Sequence, residues 1–194
     1  MKTTIKKYLI VAFLFGTFIS YAIENSNTIN TVLVKKFKIE YKEVKKGHTL
    51  TIKDENKITL YKEEIKNSGD YYKQFDFTNL KDGLYTTELE KDFEIIIKKI
   101  KIDNGLVNYI EEDTTKIFKP SIRLKNDLLL ISKISFKKEP IKVQLFYKDT
   151  MIHSEKFEGE AVLNRVYKLS KIEKGKYTVV LISDQRTYVK DFII

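Results

Sequence analysis

"LKDGLYTTELE" at Leu80–Glu90 has a near copy, "IEKGKYTVVLI" at Ile172–Ile182, 92 residues further along the chain. In each stretch an apolar residue is followed by a polar pair and a glycine, and a tyrosine then begins an alternating segment. Glycine permits a positive φ, and alternation places successive side chains on opposite faces of a strand. The sequence therefore predicts one structural corner, a turn leading into a β-strand, that occurs twice.

The same offset extends far beyond these two stretches. Near Asp54 a single residue has been gained or lost, where "DENK" stands against "KDT", and this indicates a hairpin turn. Twelve matched positions in one register predict an internal duplication. The pairs are Ile65 and Phe157, Lys73 and Arg165, Phe75 and Tyr167, Phe77 and Leu169, Leu80 and Ile172, Gly83 and Gly175, Tyr85 and Tyr177, Leu89 and Leu181, Asp92 and Asp184, Ile97 and Val189, Ile100 and Phe192, and Ile102 and Ile194.

Short segments with a period of two recur every 8 to 12 residues or so, which is typical of an antiparallel sandwich. Apart from the N-terminus, no segment has a helical period. The predicted fold is all-β, with two tandem immunoglobulin-like antiparallel β-sandwiches after an N-terminal signal helix. The predicted strands are 30–43, 48–54, 58–65, 70–77, 84–90 and 93–102, then 116–124, 127–136, 140–148, 151–157, 161–169, 175–183 and 186–194.

The boundary between the two sandwiches is predicted from "DNGLVNYIEEDTT", which combines a turn signal with an acidic polar run. The expected organisation is a signal peptide at 1–22, a first sandwich at 23–104, a linker at 105–115 and a second sandwich at 116–194. Each half then has about the size of a small immunoglobulin-like domain.

The first 22 residues, MKTTIKKYLIVAFLFGTFISYA, have the three parts of a secretory signal peptide. Three lysines precede an uncharged run from Tyr8 to Ile19, and a small-residue exit predicts cleavage after Ala22. The run is shorter than the ~20 residues that span a bilayer, so we expect no membrane span after cleavage. The expected location is the periplasm or the extracellular space.

The composition of the chain excludes several classes of protein. The chain has no cysteine, which excludes a lipoprotein anchored through an N-terminal cysteine and a disulfide scaffold. The net charge is +9, of which three lysines and no acids lie in the signal, so the mature chain would carry +6. Because Arg123, Arg165 and Arg186 are the only arginines, we expect no nucleic-acid partner.

The repeated corner has a physical interpretation. Gly83 and Gly175 allow the turn, while Tyr85 and Tyr177 can bury their rings and return their hydroxyl groups to the backbone across the corner. The alternative is that both tyrosines are stacking platforms for a ligand. The alternation places both on the inward face, which favours the structural interpretation.

The corner, followed by a strand and a final K-x-F-x-I as in "IEKGKYTVVLISDQRTYVKDFII" (Ile172–Ile194), resembles Ig-like modules of exported Bacteroidota proteins. It also looks like the C-terminal sorting domain of type IX secretion cargo in those bacteria. The first resemblance covers most of the mature chain, since both copies share it. It implies a sandwich fold and an exported protein. The internal copy, "LKDGLYTTELEKDFEIIIKKIKI", favours shared sandwich geometry as the explanation.

The residues needed for catalysis are scarce. His48 and His153 are the only histidines, do not match in the repeat, and are interpreted as surface or strand-end residues. The sequence has no zinc-ligand spacing, nucleophile elbow or phosphate loop. Adjacent carboxylates such as Glu63 and Glu64 point to opposite faces of a strand. We therefore expect no enzyme, no cofactor and no catalytic or metal-binding residue.

Two acidic turns could bind calcium at the edge of a module or at the junction. They are Asp54, Glu55 and Asn56, and Glu111, Glu112 and Asp113. Neither has the ordered alternation of an EF-hand loop, so we interpret both as solvated turns.

The function that these patterns favour is an exported, non-catalytic structural or protein-interaction module whose partner is an unknown protein or cell-surface component. The alternative is a carbohydrate-binding module of a glycan-utilisation system, which would need exposed aromatic rings. The chain has 12 tyrosines but no tryptophan, the aromatic best suited to stacking on a sugar ring.

Overall fold

A computed structural model describes residues 35–194, so the predicted signal helix and its cleavage site after Ala22 lie outside the described residues. Fourteen strands make up this part of the chain. No helix within it is long and apolar enough to cross a membrane. The strands are β1 Lys36–Val44, β2 Thr49–Lys53, β3 Thr59–Glu64, β4 Gly69–Asp76, β5 Gly83–Glu90, β6 Glu94–Asp103, β7 Leu106–Phe118, β8 Ser121–Lys125, β9 Leu128–Ile134, β10 Ile141–Tyr147, β11 Thr150–Phe157, β12 Val162–Lys168, β13 Lys176–Ser183 and β14 Arg186–Ile193.

Strands β1 to β7, here called module 1, form two antiparallel sheets. One has the order β3-β2-β5-β6-β7 and the other pairs β1 with β4. Alternation along β5 directs Tyr85, Thr87 and Leu89 inward, where all three are buried. The buried apolar cluster of this module consists of Ile39, Tyr41, Val44, Leu50, Ile52, Ile65, Phe77, Tyr85, Leu89, Ile100 and Ile102.

Strands β8 to β14, here called module 2, repeat the arrangement. The larger sheet has the order β11-β10-β13-β14 and the smaller one β12-β9-β8. The hydrophobic cluster of this module shares no residue with that of module 1. It consists of Ile122, Leu129, Ile131, Ile141, Val143, Leu145, Leu163, Leu169, Tyr177, Val179 and Leu181.

The strands of the two modules pair in the same order. Strands β1 to β6 correspond one by one to β9 to β14, because β3-β2-β5-β6 matches β11-β10-β13-β14 and the β1–β4 pair matches β9–β12. The prediction of an all-β fold with two tandem immunoglobulin-like sandwiches is confirmed. The modules differ at the outside of these shared strands, where module 1 adds β7 and module 2 adds β8.

The predicted linker at 105–115 is wrong, because those residues lie in β7 after the turn glycine Gly105. A two-residue turn with positive φ at Asn104 and Gly105 joins β6 to β7. The polar run fits into the strand because the register shifts between Ile97 and Lys99. The predicted strand 116–124 is likewise divided between the end of β7 and β8.

Candidate functional site

The repeated corners have the same geometry in both modules. The rings of Tyr85 and Tyr177 are buried, with 8% and 3% of each residue exposed. The Tyr85 hydroxyl donates to the Lys81 carbonyl at 2.8 Å, and the Tyr177 hydroxyl donates to the Glu173 carbonyl at 3.0 Å. Burial raises the pKa of both phenols. A ring in this position contacts the core and cannot stack on a ligand, so the geometry is that of a tyrosine corner.

The module 2 corner is the more enclosed of the two. The ring of Tyr147 lies 4.9 Å from that of Tyr177, and the Tyr147 hydroxyl donates to the Lys174 carbonyl at 2.9 Å. Gly175 has a φ of +142°, and a Cβ there would meet the side chain of Lys148 at 3.1 Å. Gly83 has a φ of +155° but nothing within 4 Å of such a Cβ.

A charged cluster lies where β3 approaches β4. Glu63 Oε2 accepts a hydrogen bond from Lys73 Nζ at 2.7 Å and also accepts from the hydroxyls of Tyr61 and Tyr71. The bond from Lys73, and then that from Tyr61, lower the pKa of Glu63. In module 2, Glu155 accepts from the Tyr167 hydroxyl at 3.0 Å. With three donors on one oxygen, the Glu63 carboxylate is stabilised as an anion and is a weak base.

Neither histidine belongs to a catalytic arrangement within the described residues. His48 immediately precedes β2 and is buried, with Nδ1 accepting from the Lys45 amide at 3.0 Å and Nε2 lying 3.7 Å from Asp92 Oδ2. His153 Nε2 lies 3.5 Å from Glu155 Oε1. Among residues 35–194, no three His, Cys, Asp or Glu side chains come together as metal ligands.

Of the two predicted acidic turns, the first is a turn in the structure and the second is wrong, because its backbone lies in β7. Asp54 closes the β2–β3 hairpin, where its Oδ1 accepts from the Ile58 amide at 2.8 Å. This bond gives the carboxylate a role in the turn. The side chains of Glu111, Glu112 and Asp113 lie outside what the structure describes, although their backbone belongs to β7.

The surface aromatic residues bear on the alternative of glycan binding. Tyr72, with 71% of the residue exposed, is the one fully exposed tyrosine among residues 35–194, and its ring lies 5.0 Å from Lys38 Nζ. The other described tyrosines are buried or half-buried. A flat platform needs at least two exposed rings in one plane, and the tyrosines of the described region do not supply it.

An ion-pair network joins the two modules. Glu88 of β5 binds Lys53 Nζ at 2.8 Å through one oxygen and Arg186 of β14 at 2.8 Å through the other. Lys57 Nζ also donates to Gln185 Oε1 at 2.7 Å. Burial raises the pKa of Glu88, but the bonds from Lys53 and Arg186 outweigh this effect and lower the pKa overall.

Lys133 is the buried cation of this junction, with 2% of the residue exposed. Its ammonium contacts three oxygens: Asp184 Oδ2 at 2.7 Å, the Phe118 carbonyl at 2.7 Å and the Ile134 carbonyl at 2.8 Å. A buried ammonium is tolerated only when it is paired and hydrogen-bonded in this way. Lys133 therefore fixes the end of β7 against module 2.

Between the modules lies a cleft of about 820 Å³, lined by seven basic and four acidic side chains. Its exposed aromatic residue, Phe136, packs edge-on against Phe118 at 5.7 Å. Lys53, Lys133 and Arg186 are already paired with acids of the same cleft. Of these contacts, the pair of Arg186 with Glu88 crosses between the modules, as does the bond from Lys133 to the Phe118 carbonyl.

The outer edge of β14 is the main difference between the larger sheets of the two modules. β6, its counterpart, is flanked by β5 and β7, whereas among residues 35–194 β14 pairs only with β13. Val189 and Ile193 are 61% and 85% exposed along this edge. An unpaired strand edge is a template for adding another strand.

β7, the junction contact of Lys133 and the open edge of β14 were not predicted from the sequence. The dipeptide Asn104-Gly105 was a usable signal for β7, since Asn-Gly followed by alternating residues is the strongest short-range hairpin pattern. Lys133 carried no such signal, because a lysine in a strand is ordinarily solvated.

No protein-family model and no curated protein matches the chain. One similar solved structure is named "Biofilm associated protein - BSP domain", with 15% identity, a TM-score of 0.29, and coverage of 81% of this chain and 27% of that chain. This chain thus spans about a quarter of that chain's length. At this identity and TM-score, the likeness establishes neither a shared fold nor a shared function.

Proposed function

We propose that the mature chain is an exported, non-catalytic structural or protein-interaction module that acts through the edge of β14. The observation that carries the proposal is the unpaired outer side of β14 next to a counterpart, β6, that is covered. Sheets of this kind bind partners by adding a strand, in which main-chain hydrogen bonds supply affinity and alternate side chains supply specificity. The partner is a protein, at the cell surface or in the periplasm.

The absence of a catalytic role is part of the proposal and rests on the ionisable groups of residues 35–194. Glu63 and Glu88 are held as anions by several donors each, and Lys133 is enclosed by oxygen acceptors. The test is a screen of the purified mature chain against peptide, ester, glycoside and phosphate substrates. Turnover that one side-chain substitution abolishes would overturn this part.

The proposal of export rests on the predicted signal and on the resemblance to Ig-like modules of exported Bacteroidota proteins. Mass spectrometry of the exported chain should give a mature N-terminus at Ile23. Ala22→Arg should block processing while leaving synthesis unchanged, because signal peptidases require a small residue at that position. An intact N-terminus on the wild-type chain outside the cytoplasm would contradict the assignment.

The edge itself is tested by photo-cross-linking in producing cells. A photoreactive amino acid replaces Val189 on β14 and, as the matched control, Lys62 on the outer strand β3. Cross-linked products at Val189 but not at Lys62 support the proposal, and equal or absent cross-linking at Val189 overturns it. Carbohydrate binding is not proposed as a second function, because no observation among the described residues favours it.

A further inference from the structure

The backbone of β14 presents a regular hydrogen-bonding edge. Gly175 and Ile194 exchange both of their hydrogen bonds, at 3.0 and 3.1 Å, and the register between β13 and β14 stays constant from there to Arg186. In an antiparallel ladder alternate residues turn their amides and carbonyls to opposite sides. The residues that turn theirs away from β13 are therefore Thr187, Val189, Asp191 and Ile193.

Other outer strands of the molecule differ from this edge. The ladders of β1, β3, β7 and β11 each contain a register shift, and β8 has five residues. β4 and β12 are unpaired on one side in both modules, so residues 35–194 contain no example of a strand that covers them. On β14 the lysine that could shield the edge, Lys190, instead donates to the Ile122 carbonyl of β8 at 2.7 Å.

In module 1, the strand equivalent to β14 has a neighbour on its outer side. The positions on β6 that correspond to the four outward residues of β14 are 95, 97, 99 and 101. Each is paired with β7 in antiparallel register, for example Ile95 with Ile117 and Lys101 with Asn108. The duplicated strand is thus compatible with a further antiparallel neighbour.

The alternation of side chains between the two faces, together with their charges, restricts which strand can pair with β14. If a second β14 pairs with the first about a two-fold axis, core-facing residues must lie opposite core-facing residues, so the axis passes through a residue. An axis at any of the four positions 188 to 191 pairs at least five residues of Arg186–Ile193 with the second copy. Like charges directly opposite each other are destabilising.

Only the axis at Val189 avoids such a clash. An axis at Tyr188 places Arg186 opposite Lys190 of the second copy, and axes at Lys190 or Asp191 place those residues opposite themselves. With the axis at Val189, Tyr188 faces Lys190, Thr187 faces Asp191, and Arg186 faces Phe192. The exposed Val189 then meets its own copy at the centre.

We propose that two copies of the chain join edge to edge through β14 about a two-fold axis at Val189. The larger sheets of the two module 2 domains then form one continuous sheet. Val189 pairs with Val189, and Thr187 with Asp191 in both directions, each pair exchanging two main-chain hydrogen bonds. This inference rests on the proposed function, since it names the partner that uses the β14 edge.

The test is sedimentation equilibrium of the mature chain over a wide range of concentrations. The average mass should rise from monomer toward dimer. Val189→Lys should remove the rise, because two ammonium groups would meet at the axis, and so should Val189→Glu. Val166→Lys, an equally exposed valine on the outer strand β12, should leave the dimer unchanged. Mixing the Val189→Lys and Val189→Glu chains should restore a dimer.

The mixing result separates a docking surface from damage to the fold, because two chains that are each monomeric can associate only if both are folded. A wild-type chain that remains monomeric at every concentration overturns the inference, as does a mixture that stays monomeric. The cross-linking at Val189 distinguishes the two proposals. Products at the mass of two copies support both, products at other masses alone overturn the second copy but leave the β14 edge in use, and no product overturns both.

Discussion

β6 and β14 are the same strand of a duplicated fold, and they differ in their neighbours. On β6, Ile95 pairs with Ile117 of β7 and is 3% exposed, whereas its counterpart on β14, Thr187, is exposed. Ile97 is half-buried and its counterpart Val189 is exposed. The core-packing residues Ile96, Ile100 and Ile102 of module 1 correspond to Tyr188, Phe192 and Ile194 of module 2, so both sandwiches keep an apolar core here. The two copies thus share an apolar core and differ at their edges.

The largest loss of stability should come from substitutions in the tyrosine corner, which both modules contain. Tyr85→Ala and Tyr177→Ala each delete a buried ring, for which we expect a loss of about 3–5 kcal/mol in the free energy of unfolding. Tyr→Phe removes only the hydroxyl and should cost about 1–3 kcal/mol. Calorimetry should show each change in the melting of its own module.

The control for these substitutions is Tyr72→Ala, since the ring of Tyr72 is exposed. Its free energy of unfolding should stay within about 0.5 kcal/mol of the wild type. If Tyr85→Ala or Tyr177→Ala behaved like this control, the two corners would not be structural.

The next largest loss of stability should come from removing Lys133 at the junction between the modules. Lys133 occupies the position of Tyr41 in the other module, because Tyr41 pairs with Tyr71 as Lys133 pairs with Leu163. Lys133→Met leaves the half-buried Asp184 without its cation and should cost about 3 kcal/mol, the low end for breaking a buried pair, since the Ser183 hydroxyl still contacts Asp184. Chemical denaturation measures this loss.

Lys137→Met, at an exposed lysine of the same cleft, is the matched control and should have little effect. Combining Lys133→Met with Asp184→Leu should recover much of the lost stability, because no buried charge then remains unpaired. Equal stability of Lys133→Met and the wild type would contradict the role of Lys133 in the junction.

A smaller effect should distinguish the two glycines of the corners. Both have a positive φ, so Gly83→Ala and Gly175→Ala should each destabilise the fold by about 1 kcal/mol or more. Gly175→Ala should cost more, because the new methyl group also meets Lys148. Thermal melting of the two variants compares them directly, and a larger loss for Gly83→Ala would show that the enclosure by Tyr147 and Lys148 is unimportant.

The smallest effect concerns Glu63, whose pKa in the folded state lies below its ordinary value of 4.5. A lowered carboxyl pKa contributes stability that is complete above the unfolded pKa and is lost as the pH falls through the folded pKa. Acidification from about pH 5 downward should therefore destabilise module 1, by less than about 1 kcal/mol for this half-exposed cluster. Glu63→Gln should flatten the dependence, and an unchanged pH profile in that variant would contradict the assignment.

The parts that could be predicted from sequence are those set by local pattern. Alternation and the Gly-x-Tyr corner identified β5 and β13 with their buried faces, because a period of two and a positive φ are local properties. β7 was not predicted, because a polar run such as that at 111–115 indicates a loop. An outermost strand buries few side chains, so its sequence lacks the apolar alternation of an inner strand. The Asn104-Gly105 turn could have corrected this.

The site depended on non-local contacts. Glu88 and Arg186 are 98 positions apart and show no pairing signal. The exposure of the β14 edge depends on which segment lies beside it, and a strand carries no mark of its neighbours in its own sequence. The duplication predicted equivalent strands but could not predict that one would be covered and the other open.

β7 also determines when module 1 can finish folding. The strand that covers β6 lies last in the module, so a chain made from its N-terminus completes β6 at Asp103 well before Phe118 appears. At about 5–20 residues per second, synthesis leaves the β6 edge bare for roughly 1–3 s. During that interval each nascent chain exposes in module 1 the kind of edge that β14 exposes in the folded protein.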